Sequence, residues 1–161
     1  MPLQFVSIIN PNNKPLAIEN ISSLTTDNKD PTEIAQNNDL KYNTFANMAL
    51  DYFDSMLFDP LLQASPSGNN IMDSNTSIIH HNGSYIIRLF ELENCTVYAR
   101  LIKQIGLKFV LGTSTKTPSE KVIEYFDKLI NIYTRVKSSP FIVNDDDFID
   151  KLGNRIKRDF T

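Results

Sequence analysis

The sequence predicts an α+β fold built as a three-layer sandwich, in which helices cover both faces of an antiparallel sheet. Two candidate strands carry apolar residues on both of their faces, so both faces of the sheet must be covered. Three strand candidates also follow one another through short connections, which is typical of antiparallel pairing. The chain has 161 residues, of which 41% are hydrophobic, so we expect one domain spanning residues 1–161.

The first two strands are predicted to form a hairpin. The apolar residues of the strand at 3–10 divide between two faces: Leu3, Phe5 and Ile9 on one, and Val6 and Ile8 on the other. Turn-forming residues separate it from a returning strand at 16–21. Residues 22–39 are polar and have no apolar period, which predicts a long, mobile loop.

A helix and three further strands are predicted in the middle of the chain. The helix covers residues 41–58, and its core-facing residues recur at helical spacing: Tyr42, Phe45, Ala46, Ala49, Tyr52, Phe53 and Met56. A second Asn- and Ser-rich stretch predicts a mobile loop at about 63–82, with a candidate strand at 77–80 inside it. The three strands that follow are predicted at 85–92, 96–102 and 107–112.

Two more helices are predicted in the last third of the chain. The first begins at a capping box formed by Thr117 and Glu120. Its core stripe contains Val122, Ile123, Phe126, Leu129, Ile130 and Tyr133. The second is capped by Asn144, with Val143 and Phe148 at the positions of a hydrophobic staple. Its buried stripe contains Ile149, Leu152 and Ile156.

Composition and charge exclude several classes of function. Lys and Arg number 16 against 19 Asp and Glu, a net charge of −3 with no basic block, so we expect no nucleic-acid partner. A single cysteine, Cys95, excludes an internal disulfide and a cysteine-based zinc site. The five glycines form no nucleotide-binding loop, and no signal-peptide pattern or membrane-spanning run occurs. We therefore expect an intracellular protein with no cofactor, metal, catalytic residue or direct membrane insertion.

Three polar features have simple structural interpretations. The two histidines at 80–81 fall in the second loop, where adjacent side chains cannot chelate one ion, so a solvated pair is favoured. The three aspartates at 145–147 lack the ligand spacing of a calcium loop and instead complement a helix dipole. Lys151, Arg155 and Arg158 share one helix face, for which a solvated surface is favoured over contact with acidic lipid or an acidic partner.

Two helices carry more apolar residues than a lone surface helix needs. On the second helix the extra residues are Tyr125, Ile132 and Val136, and on the first they are Leu50 and Leu57. Residues of this kind pack against a neighbouring helix or a second protein. The last helix can cover part of the second helix, so both explanations stay open there. Nothing in the sequence obviously covers the first helix.

Three stretches share features with one known family. Residues 45–51 place an aromatic residue before Ala-Leu-Asp, residues 107–111 form the final strand, and residues 133–141 lead from a helix-ending tyrosine to a Pro-Phe junction. Together with the N-terminal hairpin, they make nearly the whole chain resemble the sedlin-like subunits of the TRAPP tethering complexes. The similarity is greater to the "subunit 2-like" TRAPP-associated members than to sedlin itself. The two Asn- and Ser-rich loops depart from the family pattern.

The resemblance implies a longin fold, with a five-stranded antiparallel sheet, one helix on one face and two on the other. It also implies a non-enzymatic subunit in vesicle tethering at the Golgi, within an assembly that activates a Rab-type GTPase. Its partners would be other TRAPP subunits, and it would be cytoplasmic and peripheral at the Golgi. The residues that we expect to bind a partner are Leu50, Asp51, Leu57, Tyr125, Ile132 and Val136.

Two alternatives remain open at this point. Another longin-type trafficking module, such as an adaptor small subunit or a SNARE-like regulatory domain, would have the same fold. A SNARE is disfavoured because no heptad helix or membrane anchor follows Thr161 in the sequence. A small-ligand-binding or enzymatic α+β domain belongs to a different class, and it would require an enclosed polar pocket.

Overall fold

A computed structural model describes residues 2–22, 31–55, 78–81 and 84–160 of the protein. The strands in these ranges are β1 (Leu3–Ile9), β2 (Pro15–Asn20), β3 (Ile78–His81), β4 (Ser84–Leu92), β5 (Cys95–Ile102) and β6 (Leu107–Ser114). The helices are α1 (Pro31–Phe53), α2 (Ser119–Lys137) and α3 (Asp145–Phe160). None of these three helices is both long and apolar enough to cross a membrane.

The strands form one antiparallel sheet in the order β2-β1-β6-β5-β4-β3. The predicted α+β class and antiparallel pairing are therefore confirmed. The sheet has six strands rather than five, because the candidate strand predicted within the second loop is present as β3. It pairs with β4 from Ile78 opposite Ile87 to His81 opposite Ser84.

Buried side chains form two hydrophobic clusters, and neighbouring residues along a strand fall into different clusters because strand side chains alternate. Cluster A joins strand residues to α2 and α3, and its members include Val6, Ile8, Phe109, Leu111, Phe126, Leu129, Leu152 and Ile156. Cluster B joins strand residues to α1, and its members include Phe5, Ile9, Val110, Tyr42, Phe45, Ala49 and Phe53. Strands β1 and β6 are thus apolar on both faces, as predicted.

One residue of β1 contributes to the opposite cluster from the one predicted. Leu3 belongs to cluster A, whereas the prediction placed it on the face of Phe5, which belongs to cluster B. The register between β1 and β6 shifts between Leu3, opposite Thr113, and Phe5, opposite Gly112. The extra residue of such a bulge inverts the alternation of side chains, which a strict period of two cannot detect.

Helix α1 begins at Pro31 and ends at Phe53, so the predicted loop at 22–39 is wrong for its second half, and the predicted helix end at residue 58 is wrong. The described residues at 36–40 are exposed or half-buried, so this part of α1 has no apolar stripe for periodicity to detect.

The amide of Asn20 donates a hydrogen bond to Asp39, which ties α1 to β2. Met56, residues 23–30 of the first predicted loop and residues 63–77 of the second lie outside the described residues.

Helix α3 has the predicted cap but not the predicted staple. The Oδ1 atom of Asn144 accepts a hydrogen bond from the backbone N–H of Asp147 at 2.8 Å. In return, the Asp147 carboxylate accepts one from the backbone N–H of Val143 at 3.1 Å. Val143 is 86% exposed and so cannot pack on the buried Phe148. The predicted stripe is confirmed, since Leu152 and Ile156 are buried and Ile149 packs against them in cluster A.

The predicted capping box at the start of α2 does not form. The Thr117 hydroxyl instead hydrogen-bonds the Ser114 hydroxyl at 3.1 Å, and Pro118 occupies the N-cap position. The helix is held by its apolar stripe, in which the predicted Val122, Phe126 and Leu129 are all buried.

The two predicted cap residues, of which only Asn144 caps a helix, give a matched pair of stability predictions. We expect Asn144→Ala to lower the free energy of unfolding by about 1 kcal/mol, because the N–H of Asp147 loses its acceptor. We expect Thr117→Ala to change it by less than about 0.5 kcal/mol, because Thr117 caps no helix. Urea denaturation followed by circular dichroism measures both. Equal losses in the two variants would contradict the assignment of caps.

Candidate interaction surfaces

Helix α1 is held against cluster B by aromatic contacts that fix its rotation about its own axis. The ring of Tyr42 stacks on that of Phe5 from β1, with centroids 4.8 Å apart. Phe45 meets Phe90 of β4 edge-on at 5.9 Å. Because these side chains face the sheet, the residues on the opposite side of α1 are directed to solvent.

We call that solvent-facing side the α1 outer face. Its members recur at helical spacing and are all exposed: Leu40, Thr44, Asn47, Met48 and Asp51. Leu40 is 69% exposed and Met48 is 37% exposed, so this face presents two large apolar side chains to solvent. Sequence reasoning missed Leu40 because the predicted helix began after it. Its position on the face becomes visible only once the helix is known to start at Pro31.

The docking residues predicted on the first helix differ in their exposure to solvent. Asp51 is exposed and has no ion-pair partner among the residues described. Leu50 is half-buried and packs against cluster B beside Tyr52, so it does not belong to a free outer surface. Leu50 directly follows Ala49 of the buried stripe, and at about 100° per residue it lies on the edge of that stripe. Leu57 lies outside the described residues.

The second predicted surface, on α2, is covered by α3. Ile132 is 3% exposed and Val136 is 9% exposed, and both belong to cluster A. The ring of Tyr125 meets that of Phe160 from α3 at 6.2 Å. Of the two explanations that the sequence left open for these residues, packing against the next helix is the one that the structure supports. Ile132 and Val136 are part of the core, and Tyr125 is half-buried against it.

The histidine pair also lies in a different setting from the one predicted, because His80 and His81 belong to β3 rather than to a solvated loop. The Nε2 atom of His81 lies 2.8 Å from one carboxylate oxygen of Asp127 on α2. Arg100 of β5 donates a hydrogen bond to the other oxygen at 3.1 Å. Asp127 thereby links the edge strand, an inner strand and a helix, which is a structural role.

The acidic first turn of α3 is used in capping, as predicted. Hydrogen bonds from the Lys151 side chain and from the Val143 N–H lower the pKa of the Asp147 carboxyl group. No group of three or more His, Cys, Asp or Glu side chains within the described ranges is arranged to hold a metal ion.

The cationic residues predicted to share a face of α3 lie beside α2. Lys151 pairs with Asp147 at 2.8 Å, and Arg155 pairs with Asp159 at 2.7 Å. Together with Arg135 of α2 they line an open groove of about 420 Å³. Arg135 could not be predicted as a member of this group, because its proximity to the α3 cations depends on how α2 and α3 pack.

A family model described as Sedlin matches residues 8–158, which run from the end of β1 almost to the end of α3. The chain belongs to the sedlin family. Among individual relatives, the TRAPP-associated protein TCA17 of Saccharomyces cerevisiae (strain ATCC 204508 / S288c) is 33% identical over 150 residues. That match covers 89% of this chain and 82% of the relative.

The single cysteine of this sedlin-family chain is enclosed at the start of β5. Cys95 follows a two-residue turn in which Glu93 and Asn94 have φ values of 50° and 62°, and its side chain is fully buried in cluster B. Burial raises the pKa of the Cys95 thiol to about 12, although the nearby Lys41 charge acts in the opposite direction. The thiol is therefore protonated and inert at neutral pH.

This burial predicts both the reactivity of the thiol and a pH effect on stability. At pH 7.5 we expect Ellman's reagent to modify Cys95 only after unfolding. The unfolded thiol ionises above its ordinary value of 9.0, whereas the folded thiol keeps its proton to about 12. The free energy of unfolding should therefore be unaffected by this group below pH 9 and should fall as the pH rises from 9 towards 12.

A Cys95→Ala variant is the matched control, because tyrosines and lysines also titrate in this range. The wild-type protein should lose more stability than the variant between pH 9 and 11. Modification of the native protein as fast as of the urea-unfolded protein would contradict the burial of the thiol.

Proposed function

We propose that the protein is a non-catalytic subunit of a TRAPP vesicle-tethering complex. The observation that carries this proposal is the similarity to a yeast protein whose name describes it as TRAPP-associated, at 33% identity over most of both chains. A fold alone would not specify a role, since one fold serves many functions. Membership of the sedlin family together with this relative supports a shared association rather than a shared fold alone.

The proposal also covers the activity of the complex. The protein supports the assembly of a TRAPP complex that activates a Rab-type GTPase by nucleotide exchange, at the cytoplasmic surface of the Golgi. Exchange belongs to the assembled complex, and this chain supplies contact surface. In support, Cys95 is buried and His81 is held by Asp127, so two of the groups best suited to chemistry at neutral pH are used inside the fold.

We also propose the longin arrangement of layers, with α1 on one face of the sheet and α2 and α3 on the other. The division of buried residues supports it, because Phe5 and Val6 are adjacent in β1 yet belong to clusters B and A, respectively. The same holds for Val110 and Phe109 in β6. Strand β3 then extends the family's five-stranded sheet at one edge.

We assign docking of a neighbouring TRAPP subunit to the α1 outer face. Leu40 and Met48 supply exposed apolar contact, and Asp51 supplies an orienting hydrogen bond or ion pair. Leu50, the chain neighbour of Asp51, packs against cluster B and so holds this part of α1 on the sheet. Leu57, which lies outside the described residues, stays in the proposal as a predicted contact residue.

The proposal predicts that Asp51→Lys removes the partner without unfolding the protein. Asp51 is exposed, so its replacement should shift the thermal unfolding midpoint by only a degree or two. The reversed charge should reduce the recovery of TRAPP subunits about ten-fold or more in affinity purification followed by quantitative mass spectrometry. Leu40→Glu should have a similar effect through the apolar contact.

Asp150→Lys is the matched control, since Asp150 is also exposed on a helix but lies on α3. It should leave the recovery of TRAPP subunits unchanged. If Asp51→Lys and Leu40→Glu both retain their partners, the interface lies elsewhere on the chain. If the wild-type protein recovers no TRAPP subunit, the proposed function itself is wrong.

A further inference from the structure

A groove between α2 and α3 concentrates positive charge on a chain whose net charge is −3. We call it the basic groove, and its volume is about 420 Å³. Four cations line it, namely Arg135 on α2 and Lys151, Arg155 and Arg158 on α3, together with the apolar Val136 and Ile142. Among the described residues that line it, none is acidic.

The neighbouring carboxylates do not neutralise these four cations. Asp147 pairs with Lys151, and the single carboxylate of Asp159 is shared by Arg155 at 2.7 Å and Arg158 at 3.3 Å. Arg135 has no ion-pair partner in the part of the chain that the structure describes. Two negative charges therefore face four positive ones, and the excess lies where both Arg135 and Arg158 are open to solvent.

Two exposed apolar residues flank Ile142, which lines the groove. In the connection between α2 and α3, Phe141 is 77% exposed and Val143 is 86% exposed, more than any other large hydrophobic residue among those described. The Lys151 ammonium donates a hydrogen bond to the carbonyl oxygen of Phe141 at 2.6 Å, which fixes this connection against α3. Cationic and apolar contact points are thus held side by side.

We propose that the basic groove binds an acidic, amphipathic peptide segment of a partner protein. Its carboxylates pair with Arg135 and Arg158, and its apolar side chains contact Ile142 and the exposed ring of Phe141. The shape favours a peptide over an anionic membrane. Ile142 is half-buried in the groove, so a side chain that enters the groove reaches it, whereas a flat lipid surface does not.

This surface is separate from the α1 outer face. The groove is built by α2 and α3, which pack in cluster A, whereas α1 packs in cluster B. The inference therefore goes beyond the proposed function and does not depend on it.

The test selects peptides that bind the purified full-length chain from a phage-displayed library of random dodecapeptides. We expect the selected sequences to be enriched in Asp, Glu and large apolar residues. The strongest is then synthesised with a fluorescent label, and its Kd is measured by fluorescence anisotropy. The double variant Arg135→Glu/Arg158→Glu should weaken binding about ten-fold or more, and Phe141→Ser should weaken it to a smaller extent.

The control variant Lys103→Glu/Lys116→Glu carries the same change of charge at two exposed lysines outside the groove, and its Kd should match that of the wild-type protein. Thermal unfolding checks that each variant is folded. If the double charge reversal unfolds the protein, Arg135→Gln/Arg158→Gln replaces it with the same expected direction of effect.

Three outcomes would overturn the proposal. The selected peptides could lack acidic enrichment, or their Kd could be the same for the groove variant and the control. The third outcome is that no peptide binds, while vesicles of phosphatidylcholine with roughly 30% phosphatidylserine bind the wild-type protein and not the groove variant, which would assign the groove to a membrane instead.

Discussion

The packing of Phe5 against Gly112, at the centre of the sheet, is the contact on which the position of α1 depends. A Cβ atom at residue 112 would lie 2.2 Å from the Phe5 ring, so only glycine leaves room for that ring. Tyr42 then stacks on Phe5 and brings α1 onto cluster B. These two contacts together determine which side of α1 faces solvent, and Asp51 lies on that side.

Features of the fold that repeat along the chain could be predicted from the sequence. The stripes of α2 and α3 were identified because residues such as Leu129 and Leu152 recur at helical spacing on a buried face. The part of α1 at residues 36–40 could not be found in this way, because its exposed and half-buried residues have no apolar period. The bulge after Leu3 was equally invisible, since it is set by pairing with a distant strand.

The candidate surfaces were predicted less completely, for a related reason. A wide apolar stripe on a helix shows that the stripe is covered, but it does not show whether another element of the same chain or a second protein covers it. The extra residues Ile132 and Val136 are covered by α3, and Leu50 packs against cluster B. Within the described ranges, Asp51 is therefore the one exposed member of the predicted set. Arg135 joins the basic groove only through the packing of two helices.

The strand order β2-β1-β6 has a consequence for the nascent chain. Leu3 in β1 pairs with Thr113 in β6, so β1 lacks one of its two neighbours until the chain between them, and β6 itself, has been synthesised. At about 5–20 residues per second, that interval lasts several seconds, whereas a local hairpin such as β4–β5 closes within about 1–10 μs. During those seconds β1, which is apolar on both faces, has one edge unpaired. An unpaired apolar strand edge is prone to aggregation, and the arrival of β6 is the step that ends this exposure.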